Sequence, residues 1–238
     1  MTEAQVAPKV ALITGATRGI GFEIARQLAQ MGITVILTGR TLVDAEHAAN
    51  KINAGEMVAL PLRLDVTKPS EIDEAVRFVT EKFGRLDILI NNAGTLQDYK
   101  ELPTREQMRD TFEVNTIGPY FLTQAMLPLL KKSKAGRIVN QSSIMGSIAN
   151  AATRKGGAPA YGASKAALNM LTVLLSRQLQ DTNIKVNACH PGWVRTAMGG
   201  EEAPLLPTEG AKTAIRLALL PDNGPTGGFF HGEERLEW

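Results

Sequence analysis

The chain has 238 residues, 44% of them hydrophobic, which is enough for a sizeable core and suits one domain spanning 1–238. Its 26 basic and 24 acidic side chains nearly cancel, so the electrostatic footprint of a nucleic-acid binder is excluded. The single cysteine, Cys189, excludes an internal disulfide framework and a thiolate metal cluster; no metal is expected, and the thiol reads as a small buried hydrophobe.

The first residues carry acid and no signal-peptide core, and no stretch reaches the roughly 20 apolar residues of a membrane span. A cytoplasmic protein with no membrane partner is expected. Six short runs then recur along the chain: KVALIT at 9–14, ITVILTG at 33–39, MVALPLRLD at 57–65, LDILINN at 86–92, GRIVNQSS at 136–143 and NIKVNACHPG at 183–192. Between them lie stretches of helical periodicity at 21–31, 43–52, 70–83, 105–132, 161–180 and 209–219. Strand and helix in alternation predict an α/β fold, a three-layer, doubly wound parallel sheet with helices on both faces. Within 105–132, Gly118, Pro119 and Pro128 predict a kink or broken ladder near 115–119. Residues 95–104, 144–160 and 192–207 read as substrate loops.

After the first strand comes TGATRGIG, with Gly15, Gly19 and Gly21 leading into a helical pattern. A glycine turn lets the backbone approach a pyrophosphate, and the helix start offers unpaired N–H groups and partial positive charge. The spacing differs from the common dinucleotide fingerprint, but its place in the first βα unit favours that use over plain strand–helix packing. Thr17, Arg18 and Ile20 complete the loop. Where a cofactor without a 2′-phosphate calls for an acid at the end of the second strand, Gly39 and Arg40 stand instead. Two guanidinium groups and no carboxylate suit a phosphate, so NADP(H) is expected over NAD(H).

YGASK sets Tyr161 and Lys165 one helical turn apart. Such pairs arise by chance on many surfaces. They also make chemical sense, because a fixed ammonium lowers the cost of ionising a phenol whose ordinary pKa is near 10. TGATRGIG, NNAG at 91–94, the VN ending at Asn115, NQSS ending at Ser143, YGASK and HPGW occur in this order, and together they resemble the short-chain dehydrogenase/reductase family over essentially the whole chain. The C-terminal PGWVRTAMGG and EGAKTAIRLALLPDNGPTGGFF are similar to its carbonyl-reductase branch.

The resemblance implies a Rossmann fold and an enzyme that reduces a ketone, aldehyde or quinone with NADPH. It implies that Tyr161 is the proton donor, Ser143 the catalytic serine with Ser142 as runner-up, Lys165 the partner that also binds the ribose, and Asn115 the support of a proton-relay water. Asp65 and Val66 match the adenine contacts, and Asn92, Ala93 and Gly94 the turn that lines the cofactor. Pro191, Gly192, Val194 and Thr196 match the segment passing the nicotinamide. Ser143 and Tyr161 are eighteen apart where compact members have about thirteen, and the extra residues in IANAATRKGGAPA read as a short insertion facing the substrate. Leu96, Ile144, Met145, Trp193 and Met198 are the expected pocket residues for a hydrophobic or aromatic carbonyl compound, each equally able to be plain core. Two rival readings are a redox sensor or scaffold that binds NADP(H) without chemistry, and a dehydrogenase working in the oxidative direction. A monomer and a homo-oligomer are both left open.

Overall fold

Strand β1 (Val10–Ile13) has no polar face: all four of its residues are buried. The computed structural model, which describes residues 8–53, 55, 57–98, 101–153 and 157–238, gives the reason. Ala11 and Ile13 enter one hydrophobic core, and Val10 and Leu12 the other. The same alternation divides β2 (Thr34–Gly39) and β4 (Ile88–Asn91), so these strands are covered on both sides and read as continuous apolar runs.

Helices α1 (Gly19–Gln30) and α2 (Leu42–Ile52) supply the first core, together with α9 (Lys212–Ala218), which follows the short α8 (Pro207–Gly210). The second core is supplied by α3 (Pro69–Phe83), α5 (Gly118–Leu130) and α7 (Pro159–Gln178). With β3 (Ala59–Arg63), β5 (Arg137–Gln141), β6 (Lys185–Cys189), β7 (Phe229–His231) and β8 (Glu234–Leu236), the described residues form one eight-stranded sheet. Its order is β3-β2-β1-β4-β5-β6-β7-β8. The chain reverses direction across the sheet between β1 and β4, which opens a crevice at their carboxyl ends, the usual ligand position in such sheets.

The six expected strands are present and parallel, and the expected helices begin and end within two residues of their predicted bounds. Two strands are additional. β7 and β8 have three residues each, too short to show a period, and β8 runs antiparallel to β7. The last predicted helix is two pieces, α8 and α9.

The predicted break in 105–132 is a π turn, Glu113–Ile117, between α4 (Arg105–Phe112) and α5. Pro119 has no N–H to return to residue 115, so the helix widens, and Gly118 N–H donates to Glu113 O five residues back. Residues 144–160 include a 3₁₀ turn, Ile144–Gly146, and α6 (Ile148–Ala151), while residues 99, 100 and 154–156 of the expected loops lie outside the described residues.

Candidate active site

The glycine loop is stitched to the NNAG turn. Thr14 Oγ1 accepts from Asn92 N–H and Ala93 N–H, both at 2.9 Å, and Asn92 Nδ2 donates to Thr14 O at 2.8 Å and Gly15 O at 3.1 Å. Gly15 and Gly19 take φ of 60° and 59°, where a side chain would be strained, and a Cβ on Gly15 would lie 3.0 Å from Ala93 Cα. Beyond the loop, the start of α1 has no side-chain cap and no acid in its first turn. Its first amides and positive dipole end are thus left without a side-chain acceptor from the helix's own sequence, as a pyrophosphate site requires.

A Cβ on Gly39 would run into Thr17, so the end of β2 abuts the glycine loop and brings Arg40 and Arg18 to one corner. Both are exposed, and neither has an ion-pair partner among the described residues. Asp65 N–H is held by Glu71 Oε2 at 2.7 Å, while Asp65 Oδ1 accepts from Thr67 N at 3.0 Å and Thr67 Oγ1 at 2.8 Å. Val66 is buried, with Gly118 against its carbonyl. These features fit a dinucleotide lying across the switch point.

Opposite the loop, α7 is fastened to β5 by buried polar pairs. Asn140 Nδ2 donates to Thr172 Oγ1 at 2.8 Å, and Ser142 Oγ donates to Asn169 Oδ1 at 2.6 Å. Ser142 is thereby engaged in structure, and it is Ser143 that acts on the Tyr161 phenol, favouring its ionised form. Asn169 and Thr172 lie on the helical face of Tyr161 and Lys165, eight and eleven positions after Tyr161, a periodicity that could have flagged them.

Lys165 is 3% exposed; its Nζ donates to Gln141 O at 2.7 Å and lies 5.7 Å from the Tyr161 ring centroid. Asn115, in the π turn, accepts from Thr95 N at 2.8 Å and donates to Thr95 O at 2.9 Å and Ser164 Oγ at 3.0 Å. Gly94 lies between the two, where a Cβ would be 3.3 Å from Asn115 Oδ1 and 3.5 Å from Lys165 Nζ. The four predicted catalytic residues thus converge.

One electrostatic expectation is corrected. Burial pushes the Tyr161 phenol up, only partly offset by the Ser143 hydrogen bond, and the nearby ammonium does not reverse this. Burial also pulls Lys165 down from 10.5 to about 8. Desolvation penalises both charged forms, and here it outweighs the attraction expected between them. Cys189, fully buried, is pushed up to about 12 by burial, so it stays a thiol.

The segment after β6 folds back over the glycine loop. Gly192 has φ 87°, Val194 bridges Leu205, and Thr196 Cγ2 lies 3.4 Å from where a Cβ on Gly19 would be. Thr196 Oγ1 accepts from Gly199 N at 3.1 Å, and Trp193 Nε1 donates to Gly199 O at 2.7 Å. A cavity of about 680 Å³ has walls that include Ile144, Met145, Ile148, Ala163 and Ala166, the sequence neighbours of Ser143 and Tyr161, while Ser143 and Tyr161 themselves do not line it. It takes in two of the expected substrate residues. Leu96, Trp193 and Met198 do not line it; Trp193 and Met198 stay exposed on their loop, and Leu96 is half-buried. Asp98 and Gln141 were not foreseen, because each acts through a contact remote in sequence.

The model of the family described as short chain dehydrogenase matches residues 9–205. The chain belongs to this family. The chain is 33% identical to (+)-neomenthol dehydrogenase of Arabidopsis thaliana over 99% of this chain and 100% of that one. It is 32% identical to carbonyl reductase [NADPH] 1 of Sus scrofa, covering 97% of this chain and 94% of the reductase. Among solved structures, NADPH-bound carbonyl reductase from chicken fatty liver superposes with a TM-score of 0.82 at 32% identity, covering 98% of this chain and 100% of that one. The chain thus falls in the carbonyl-reductase-like branch of the family.

Proposed function

We propose that the protein is an NADPH-dependent reductase of ketones, aldehydes or quinones, with Tyr161 as the proton donor. The observation that carries this reading is the convergence of Ser143, Tyr161, Lys165 and Asn115 at the carboxyl edge of the sheet, beside the glycine loop. Its relatives include carbonyl reductases whose names specify NADPH. Arg18 and Arg40 would pair with the 2′-phosphate, Asp65 and Val66 would hold the adenine, and the start of α1 would hold the pyrophosphate. When bound, the cofactor supplies hydride to the carbonyl carbon.

The residues of this chain do the rest. Ser143 orients the carbonyl oxygen and stabilises the charge growing on it. Tyr161, whose burial keeps its proton on, gives that proton to the same oxygen. Lys165 favours the phenolate left behind, and Asn115 holds Thr95 and Ser164 in the frame around the lysine. Ile144 and Met145 give the adjoining cavity an apolar wall, which suits a hydrophobic or aromatic substrate. Residues 95–104 and 144–160, which contribute to that cavity, and 192–207, which folds over the glycine loop, are the proposed substrate loops.

The test is NADPH and NADH oxidation against a panel of ketones, aldehydes and quinones, repeated with Tyr161→Phe. Turnover with NADPH, lost by roughly 100-fold or more in the variant while NADPH still binds, is the expected result. Tight NADPH binding without turnover on any panel member would favour a sensor; near-normal turnover of Tyr161→Phe would remove the acid.

A further inference from the structure

Helix α7 carries Tyr161 in its first turn, yet its own sequence does not cap it. Ala158 stands at the cap with no side-chain hydrogen bond, Pro159 follows, and the first turn holds no acid. The helix amides find their acceptor elsewhere in the chain. Asp98 Oδ2 accepts from Ala160 N at 2.6 Å across 62 residues, and Oδ1 makes a longer contact of 3.4 Å with Tyr161 N. Asp98 is 2% exposed, and no salt bridge to it occurs among the described residues. A carboxylate so little exposed needs compensation, and these two N–H groups with the positive end of a 20-residue helix provide it.

Asp98 closes a ring of contacts. Asn115 holds Thr95 by two hydrogen bonds, three residues later Asp98 holds the first turn of α7, and one turn along α7 Ser164 returns to Asn115. Ser164 Oγ also donates to Tyr161 O at 2.7 Å, so the backbone of Tyr161 is fixed from its amide side and its carbonyl side. The helix as a whole is already fastened to β5 through Thr172 and Asn169. What Asp98 adds acts on the turn bearing the phenol. It also lines the cavity walled by Met145 and Gly162.

We propose that Asp98 is a positioning residue for Tyr161, setting the phenol against Ser143 and the substrate oxygen. The proposal rests on Tyr161 being the acid. In the full chain, with NADPH and a carbonyl compound that the panel shows to be reduced, Asp98→Ala lowers kcat roughly 10–100-fold, as misplacement by about an ångström does. NADPH affinity stays the same, and the solvent deuterium isotope effect on kcat rises as proton transfer becomes limiting. Asp98→Asn keeps one acceptor oxygen and recovers most of the rate. Hydrogen exchange at the Ala160 and Tyr161 amides, which needs no turnover, speeds up in Asp98→Ala.

Unchanged exchange would overturn the proposal. So would an Asp98→Ala enzyme that melts earlier but keeps its kcat and isotope effect, since that is a cap with only a structural role. Equal loss in Asp98→Asn and Asp98→Ala would also overturn it. If instead Tyr161→Phe retains turnover, the acid assignment fails, while amide exchange still reports on the clamp.

Discussion

Lys165 is chemically unusual because its ammonium is buried, with Gln141 O as its hydrogen-bond acceptor. Burial lowers its pKa to about 8, so above that pH the folded enzyme loses the charge that favours the Tyr161 phenolate. The rate of carbonyl reduction is therefore expected to hold below about 8 and fall as pH rises through it; a pH–kcat profile checks this, and the limb should vanish from the residual activity of Lys165→Met. The effect on stability has the opposite sense. Between about 8 and 10.5 the unfolded chain binds a proton that the folded chain does not, so Lys165 makes stability rise with pH in that window. Its charged form is what burial penalises at lower pH. The pairing of Tyr161 with Lys165 was legible in YGASK, but the competition between burial and charge was not. Depth below the surface depends on what Gly146, Gly94 and Gln141 bring against the lysine, and all three come from outside its helix.

Elements hold the site because their ends are tied by polar groups that the apolar pattern does not mark. Asn91 Nδ2 donates to Thr123 Oγ1 at 3.0 Å and Asn140 Oδ1 at 2.8 Å, linking β4, α5 and β5 in the interior. At the other end of β5, Arg137 is 2% exposed and donates to Leu220 O at 2.9 and 2.7 Å, to Gly136 O at 2.9 Å and to Asn183 O at 3.2 Å. Its partner Asp222 is largely exposed, so the ion pair is screened and the carbonyl bonds carry the interaction. Arg137→Met strands buried acceptors and should cost about 2–3 kcal/mol in a denaturant titration, with NADPH affinity little changed because the residue lies at the opposite end of the strand from the site. The break in 105–132 was readable from Pro119, since a missing N–H has only local consequences. That the break takes the form of a π turn facing Asn115 toward Thr95 and Ser164 was not readable, because both partners approach from distant segments.

At the scale of the molecule, the glycine loop, the NNAG turn and the cluster of Ser143, Tyr161, Lys165 and Asn115 meet along one edge of the sheet, so a dinucleotide there would bridge both halves of the fold. Bound ligand stabilises the folded state by mass action, about 2.7 kcal/mol at a hundred times Kd, equivalent to roughly 5–10 °C for a chain of this size. Thermal melts are expected to show a shift of that order with NADPH and a smaller one at equal NADH, because Arg18 and Arg40 would gain nothing from a cofactor lacking the 2′-phosphate. Equal shifts would argue against the two arginines as the selective groups.

The amino-acid sequence determined the alternation of strand and helix, the glycine turn, the missing acid at Arg40 and the order of the catalytic motifs. Each is a local property: period, backbone freedom or residue identity at a fixed spacing. Only the tertiary structure decided that Ser143 and not Ser142 acts on Tyr161, that β7 and β8 extend the sheet, that burial pulls Lys165 down to about 8, and that Asp98 caps the helix carrying Tyr161. These depend on which distant groups share a small volume and how far water is excluded from it, and closure of the fold sets both.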